Sequence, residues 1–97
     1  MTTTTKTTIW AVRFKRDFKR EFKTHGKDLD IMLLEVLAFL TSGTLLPAKY
    51  QDHKLIGEWE GFRECHLKPD LLLIYEKLDS ETLRLARLGS HAELFGL

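Results

Sequence analysis

The spacing of apolar residues changes along the chain, and each change predicts a different element. β-Branched and aromatic residues concentrate in residues 7–13, which predicts a strand. Apolar positions then recur at helical spacing from Phe14 to a stop at Gly26. The helical spacing resumes after Asp28, which we expect to cap the second helix, and continues to Gly43. The pattern therefore predicts a helical hairpin whose Phe and Leu stripes belong to the core.

The second half of the chain has the period of two that is typical of strands. A long connection that contains Pro47, Gly57 and Gly61 spans residues 45–61. Strands are predicted at residues 62–67, 71–77 and 82–88, with turns at 69–70 and 79–81 and a tail or single helical turn at 91–97. The order β-α-α-β-β-β predicts an α+β fold, in which the two-helix hairpin packs on a small antiparallel sheet. We expect one domain over residues 1–97, with the Thr-rich residues 1–8 disordered.

Length and composition exclude several classes of protein. A chain of 97 residues that is 43% hydrophobic and 30% charged is typical of one soluble domain rather than a disordered chain. We find no run of apolar residues long enough to cross a membrane and no secretory signal, so we expect a cytoplasmic protein without a membrane partner. The single Cys65 forms no internal disulfide, and we interpret it as a small buried core thiol.

The net charge of +1 conceals a strong asymmetry along the chain. Residues 1–27 carry eight bases and two acids, which gives +6, whereas residues 28–97 carry seven bases and twelve acids, which gives −5. Such segregation is found in proteins that bind a polyanion or an acidic partner, although it also occurs in helices whose basic face is merely solvated.

Three of the four histidines lie outside the regular cores, next to turns. These are His53 in the long connection, His66 before the turn that contains Asp70, and His91 after the last strand. Two imidazoles can serve as base and acid in one step. When the 2′-hydroxyl of an RNA attacks the adjacent phosphate, cleavage requires only such a pair, together with cations that balance the phosphate charge. Arg63 and Arg87 are the nearest candidate cations in the sequence.

Strand alternation orients two further candidates. Arg87 is predicted to share a face with Leu83 and Leu85, either as a side chain at the core edge or as a site residue that points inward. Cys65 and His66 are predicted to point apart, which argues against nucleophilic catalysis by the thiol. Two histidines and a carboxylate are also able to hold a metal, but no closely spaced pair of histidines supports a metal site.

Four motifs in order make the chain resemble the YafQ branch of the RelE/ParE toxin superfamily. They are D-H-x-L within residues 50–55, H-x-x-P-D at the end of residues 57–70, L-I-Y at residues 73–75, and G-[ST]-H-x-x-L-F within residues 87–96. The resemblance extends over nearly the whole chain from Trp10 and includes the basic helical hairpin. These proteins are the toxins of bacterial type II toxin–antitoxin modules.

The resemblance implies a ribosome-dependent endoribonuclease that cuts mRNA in the ribosomal A site without a metal or other cofactor. It places the catalytic set on His53, His66, Asp70 and His91, and it places phosphate and base contacts on Arg87 and Phe95. Arg63 and the basic first helix are further candidates for RNA contact, and the helix supplies Lys15, Arg16, Lys19, Arg20 and Lys23. The implied partners are the ribosome with its mRNA and a cognate antitoxin protein.

Within this interpretation His91 is expected to be the general acid and His53 or His66 the base, although the reverse assignment is equally consistent with the sequence. Asp70 is expected to orient one imidazole. Phe95 either stacks on an RNA base or only seats the tail on the sheet.

Two other functions stay open. A relative that acts by binding alone, such as one directed at DNA gyrase, keeps the fold but generally lacks the histidine set. The other function is that of a metal-dependent hydrolase, which predicts loss of activity in the presence of a chelator.

Overall fold

The computed structural model describes residues 6–96, so residues 1–5 and Leu97 lie outside the described part. The regular elements are β1 (Thr7–Trp10), α1 (Val12–His25), α2 (Lys27–Ser42), β2 (His53–Lys54), β3 (Arg63–Lys68), β4 (Leu71–Lys77), β5 (Thr82–Gly89) and α3 (His91–Phe95). Two short 3-10 turns, Ala48–Tyr50 and Gly57–Trp59, flank β2. None of the helices in this part of the chain has the length and apolar character needed to cross a bilayer.

The described strands form one sheet in the order β1-β5-β4-β3-β2. The predicted α+β fold, with a helical hairpin on the sheet, is confirmed. The sheet is antiparallel from β2 to β5, but β1 pairs with β5 in parallel, and β2 is an additional short strand within the long connection. Strand direction was not predictable, because the apolar pattern of a strand is the same in both orientations.

The chain becomes ordered earlier than we expected. Residues 1–8 were predicted to be disordered, yet Thr7 and Thr8 pair with β5 as part of β1. Lys6 contacts the end of α2 and the turn between β4 and β5: its backbone N–H donates to the Thr41 carbonyl at 3.0 Å, and its ammonium donates to the Ser80 carbonyl at 3.0 Å. At Thr7 and Thr8 the predicted strand over residues 7–13 therefore holds in place of the predicted disorder, because the edge of β5 supplies backbone partners there.

The main core lies between the helical hairpin and one face of the sheet. It contains Phe14 from α1, the stripe Leu29, Leu33, Val36 and Leu40 from α2, and Cys65, Leu73, Tyr75, Leu83, Leu85 and Leu88 from the strands. Cys65 is fully buried, and burial raises the pKa of its thiol, which confirms the interpretation of a core residue. The aromatic stripe of α1 is only partly core, since Phe22 is 40% exposed at the end of the helix.

The junction between the helices differs from the predicted cap. Gly26 alone separates α1 from α2 and has the positive φ of 59° that glycine tolerates. Its N–H donates to the Phe22 carbonyl at 2.8 Å, and its carbonyl accepts from the Leu29 N–H at 3.1 Å. Asp28 therefore lies in the first turn of α2 and does not cap it; there its carboxylate is still favoured by the helix dipole.

A β-bulge in β5 changes which face Arg87 occupies. Tyr75 pairs with Leu85 and Ile74 pairs with Arg87, so Ala86 is an extra residue in β5. The predicted face of Arg87, shared with Leu83 and Leu85, is wrong, because alternation reverses at the bulge. Arg87 instead lies on the sheet face opposite the helical hairpin, in register with Ile74.

Candidate active site

The face of the sheet opposite the helical hairpin carries the polar candidates in register. His53, Glu64, Ile74 and Arg87 lie side by side across β2, β3, β4 and β5. His66 lies two residues along β3, opposite Leu72. Residues that are directly opposite in a sheet share a face, and so do residues two apart along one strand. The strand register alone therefore brings His53 and His66 to one surface.

The third histidine reaches this surface from outside the sheet. Helix α3 packs on the sheet through Leu94, which joins a second apolar cluster with Leu72, Ile74 and Ala86. This packing places His91, the first residue of α3, beside His66. The ring centroids of His66 and His91 are 5.8 Å apart and those of His53 and His66 are 6.5 Å apart. All three predicted histidines therefore converge on one site.

Asp70 holds His91 in two ways. Its Oδ1 accepts a hydrogen bond from the His91 backbone N–H at 2.9 Å and contacts the ring Nδ1 at 2.6 Å. The hydrogen bonds from the backbone and from the ring, in that order of size, lower the pKa of Asp70. Asp70 is thus a carboxylate at neutral pH, and since it engages Nδ1, Nε2 is the nitrogen of His91 that is left for proton transfer.

Glu64 is a member of the site that our sequence analysis missed. It is only 5% exposed, and its Oε1 lies 3.0 Å from Nε2 of His66 and 3.9 Å from Nε2 of His53. A buried carboxylate requires such partners because its desolvation is unfavourable. Alternation along β3 already placed Glu64 on the face of His66, and this shared face was the available signal.

His53 is oriented by the backbone before it. Its Nδ1 lies 2.8 Å from the Gln51 carbonyl, and a carbonyl accepts only, so the ring donates through Nδ1 and Nε2 keeps its lone pair when the ring is neutral. Gln51 has a φ of 50°, the left-handed conformation that non-glycine residues seldom adopt. A strained residue thus directs the carbonyl that fixes the imidazole.

The two candidate arginines occupy different faces. Arg87 lies in the same row as Glu64, but its Nε donates to Oδ2 of the buried Asp17 at 2.7 Å. Arg63 pairs across the sheet with Tyr75 on the opposite, core-facing side and donates to Asp52 at 2.8 Å. The structure therefore places Arg87 on the sheet face of the site, where it is paired with Asp17, and places Arg63 on the other face.

The basic candidates on α1 also divide into two groups. Lys15, Arg16, Lys19 and Lys23 are exposed. Arg20 is instead engaged by carboxylates, with distances of 3.0 Å to Asp17, 2.8 Å to Glu21 and 2.8 Å to Glu93. Its guanidinium also donates to the Leu88 carbonyl at 2.8 Å.

The contact of Arg20 with Glu93 links α1 to the helix that carries His91. Glu93 also completes a capping box with Ser90, in which the Ser90 N–H donates to Oε1 of Glu93 at 2.9 Å. Gly89 leaves space for this arrangement, because an added Cβ would lie 2.7 Å from Nη2 of Arg20. The start of α3 is therefore fixed from the side of α1 as well as by Asp70.

Phe95 lies at the other end of α3, close to the site. Its ring centroid is 6.5 Å from that of His91, and the half-buried ring packs against the apolar cluster beneath α3. Both predicted roles of Phe95, the contact with a base and the seating of the tail, are compatible with this position.

The same side chains have the arrangement of a metal site. Glu64, His66 and His91 each offer one ligand atom, and these atoms lie within 4.8 Å of one another. A carboxylate with two imidazoles suits zinc or copper. A bound ion would supply Lewis-acid chemistry there, but it would also occupy the imidazole nitrogens that proton transfer needs.

Comparison with known proteins identifies relatives of this chain. Residues 6–96 match the family described as the bacterial toxin of type II toxin–antitoxin system, YafQ. The mRNA interferase toxin YafQ of Escherichia coli (strain K12) is 45% identical over 85 residues, which cover 87% of this chain and 89% of the relative.

Solved structures share the fold. The crystal structure of YafQ from E. coli strain BL21(DE3) has a TM-score of 0.83 at 39% identity and covers 94% of this chain and 99% of its own. The crystal structure of the E. coli DinJ–YafQ toxin–antitoxin complex has a TM-score of 0.81 at 41% identity and covers 95% of this chain and 99% of its own. The crystal structure of a metal-bound toxin from Helicobacter pylori has a TM-score of 0.82 at 48% identity and covers 92% of this chain and 98% of its own. The chain belongs to the YafQ family of bacterial type II toxin–antitoxin toxins.

Proposed function

We propose that this toxin is an endoribonuclease that enters the ribosomal A site and cuts mRNA there by metal-free general acid–base catalysis. The observation that carries the proposal is the convergence of three imidazoles with two carboxylates on one exposed face. The E. coli relative is named an mRNA interferase, which supports the same substrate class.

The reaction requires two proton transfers on opposite sides of a phosphate. A base removes the proton of the 2′-hydroxyl as O2′ attacks phosphorus, and an acid protonates the 5′-oxygen as the P–O5′ bond breaks. The products are a 2′,3′-cyclic phosphate and a free 5′-hydroxyl. In-line geometry favours the outer pair of the three rings, with His53 as base through Nε2 and His91 as acid through Nε2.

The remaining groups orient the pair and the substrate. Asp70 holds His91, and Glu64 holds His66 between the outer rings, where an imidazolium would face the phosphate. Arg87 contributes positive charge from β5, and Phe95 stacks on a base of the mRNA. The exposed basic residues of α1 contact ribosomal RNA, because phosphate contacts dominate the affinity for nucleic acids.

The toxin acts in the cytoplasm and is neutralised by a cognate antitoxin. The E. coli relative occurs in a toxin–antitoxin complex with DinJ, which supports a protein inhibitor of this kind. An acidic segment of that inhibitor would compete with RNA for the basic face of α1.

The test is mRNA cleavage during translation, with wild type and His91→Ala compared in the presence of a chelator. Ribosome-dependent cuts that persist in chelator and vanish in the variant support the proposal. Growth inhibition that survives both His91→Ala and His66→Ala would instead indicate a toxin that acts by binding alone. Loss of wild-type cutting in chelator would indicate a metal-dependent hydrolase and make Glu64, His66 and His91 its ligands.

A further inference from the structure

A cleft of about 370 Å³ opens beside His66, between α2 and the end of β3. Helix α2, the 3-10 turn Ala48–Tyr50 and the turn between β3 and β4 form its walls. Its volume is within the range of about 300–1,000 Å³ that small-ligand sites occupy. None of the proton transfers proposed above uses this cleft.

The polar groups of the cleft suit a nucleotide. Lys49 and Lys68 are among its lining residues, and Glu35 is the one carboxylate among them, so the lining carries a net positive charge. Tyr50 donates to Glu35 at 2.5 Å, and Lys49 lies 3.7 Å from the same carboxylate. These contacts leave Glu35 able to accept from an amino group of a base.

Gln51 links the cleft to the catalytic face. It is one of the residues that line the cleft, and its backbone carbonyl accepts from Nδ1 of His53. A ligand in the cleft would therefore contact the residue that orients His53 as well as His66 itself.

We propose that this cleft is a nucleotide subsite, which holds the RNA residue adjacent to the scissile phosphate. The inference rests on the proposed function, since it assigns the path of the substrate past His66. In this proposal Lys49 and Lys68 contact phosphate. The base lies against the wall that Tyr50 forms, and Gln51 and Glu35 form hydrogen bonds with the edge of that base. The cleft thus sets sequence preference at one position of the mRNA.

A test without ribosomes measures binding directly. The probe is a short RNA with 2′-deoxyribose at the scissile residue, titrated into isotopically labelled protein. We expect amide resonances of Tyr50, Gln51 and Lys68 to shift. In Lys49→Gln/Lys68→Gln the slope of log affinity against log salt concentration falls by about 0.7 for each lost phosphate contact. Lys54→Gln, an exposed lysine of β2 outside the cleft, is the matched control and keeps the wild-type slope.

A second test measures cleavage preference during translation. We expect the double lysine variant to raise KM without lowering kcat, and Gln51→Asn to alter the preferred nucleotide beside the cut. Asn is chosen because it tolerates the left-handed conformation. Resonance shifts confined to the three histidines, together with unchanged KM and preference, would overturn the subsite and leave the proposed function intact. Absence of any cleavage by wild type would overturn the proposed function, while the titration still decides whether the cleft binds RNA.

Discussion

Asp17 and Arg87, which are 70 residues apart in the chain, form an ion pair across the interface between α1 and β5, with 2.7 Å between Oδ2 and Nε. Oδ2 also accepts the backbone N–H of Leu88 at 3.0 Å. Burial raises the pKa of Asp17, but the hydrogen bonds from Arg87 and Leu88 outweigh burial and lower it overall. One buried carboxylate therefore joins the basic helix to the strand that leads to His91.

Removal of this carboxylate should destabilise the fold. Asp17→Ala leaves the largely buried guanidinium of Arg87 without its partner, and we expect the free energy of unfolding to fall by about 3 kcal/mol. Denaturant titration measures the change, and Asp28→Ala, an exposed residue of α2, is the control. Equal stability of Asp17→Ala and wild type would show that the pair contributes nothing net.

Substitutions at His91 and Asp70 should separate catalysis from orientation. We expect His91→Ala to lower kcat by about 10²–10⁴-fold, because it removes the proton donor. Asp70→Asn keeps the size of the side chain but not its charge, so the loss should be smaller. Single-turnover cleavage on ribosomes measures both. A greater loss in Asp70→Asn than in His91→Ala would contradict the assigned roles.

The contact between Arg20 and Glu93 should affect activity through the position of α3. Glu93→Ala removes both the salt bridge and half of the capping box, and we expect about 1 kcal/mol of lost stability with a lower kcat. Glu93→Gln retains the capping acceptor and should recover most of the stability. Lys19→Ala, on the exposed side of α1, should leave kcat unchanged in a pre-bound ribosome complex. A loss of kcat in Lys19→Ala equal to that in Glu93→Ala would refute the positioning role.

The stability of the protein should decline in acid. The pKa values of Asp17, Asp70 and Glu93 are all lowered in the folded state from ordinary values of 3.8, 3.8 and 4.5. A lowered pKa gives a contribution that is complete above the unfolded value and is lost as pH falls through the folded value. Urea unfolding at a series of pH values should show the decline below about pH 4. In Asp70→Asn the decline should be shallower, and an identical slope would exclude a contribution from the Asp70–His91 pair.

Zinc should inhibit the enzyme rather than activate it. An ion held by Glu64, His66 and His91 withdraws His91 from proton transfer and His66 from the phosphate, so added Zn²⁺ should reduce cleavage and a chelator should restore it. Glu64→Gln weakens the site and should raise the concentration needed for inhibition. Stimulation by Zn²⁺ would contradict the metal-free mechanism.

Local pattern was sufficient for much of the architecture. The period of the Leu residues in α2 and the run of apolar residues in β4 predicted both elements, because side-chain periodicity follows directly from backbone geometry. The motifs that contain His53, His66, Asp70 and His91 were sufficient to indicate the family. They did not show whether these four residues meet in space.

The tertiary structure decided the contacts, because each depends on register or on residues distant in sequence. Only the bulge at Ala86 places Arg87 on the face of Glu64, and only the pairing of β3 with β2 brings His53 toward that same carboxylate. A single extra residue reverses the faces of a strand without altering its composition. The amino-acid sequence by itself determined the elements, the core stripes and the candidate residues. The fold determined that Arg20 pairs with Glu93 of α3 and that Asp17 pairs with Arg87 of β5. The sequence did not predict these contacts, because ion pairs across an interface leave no periodic signal in the chain.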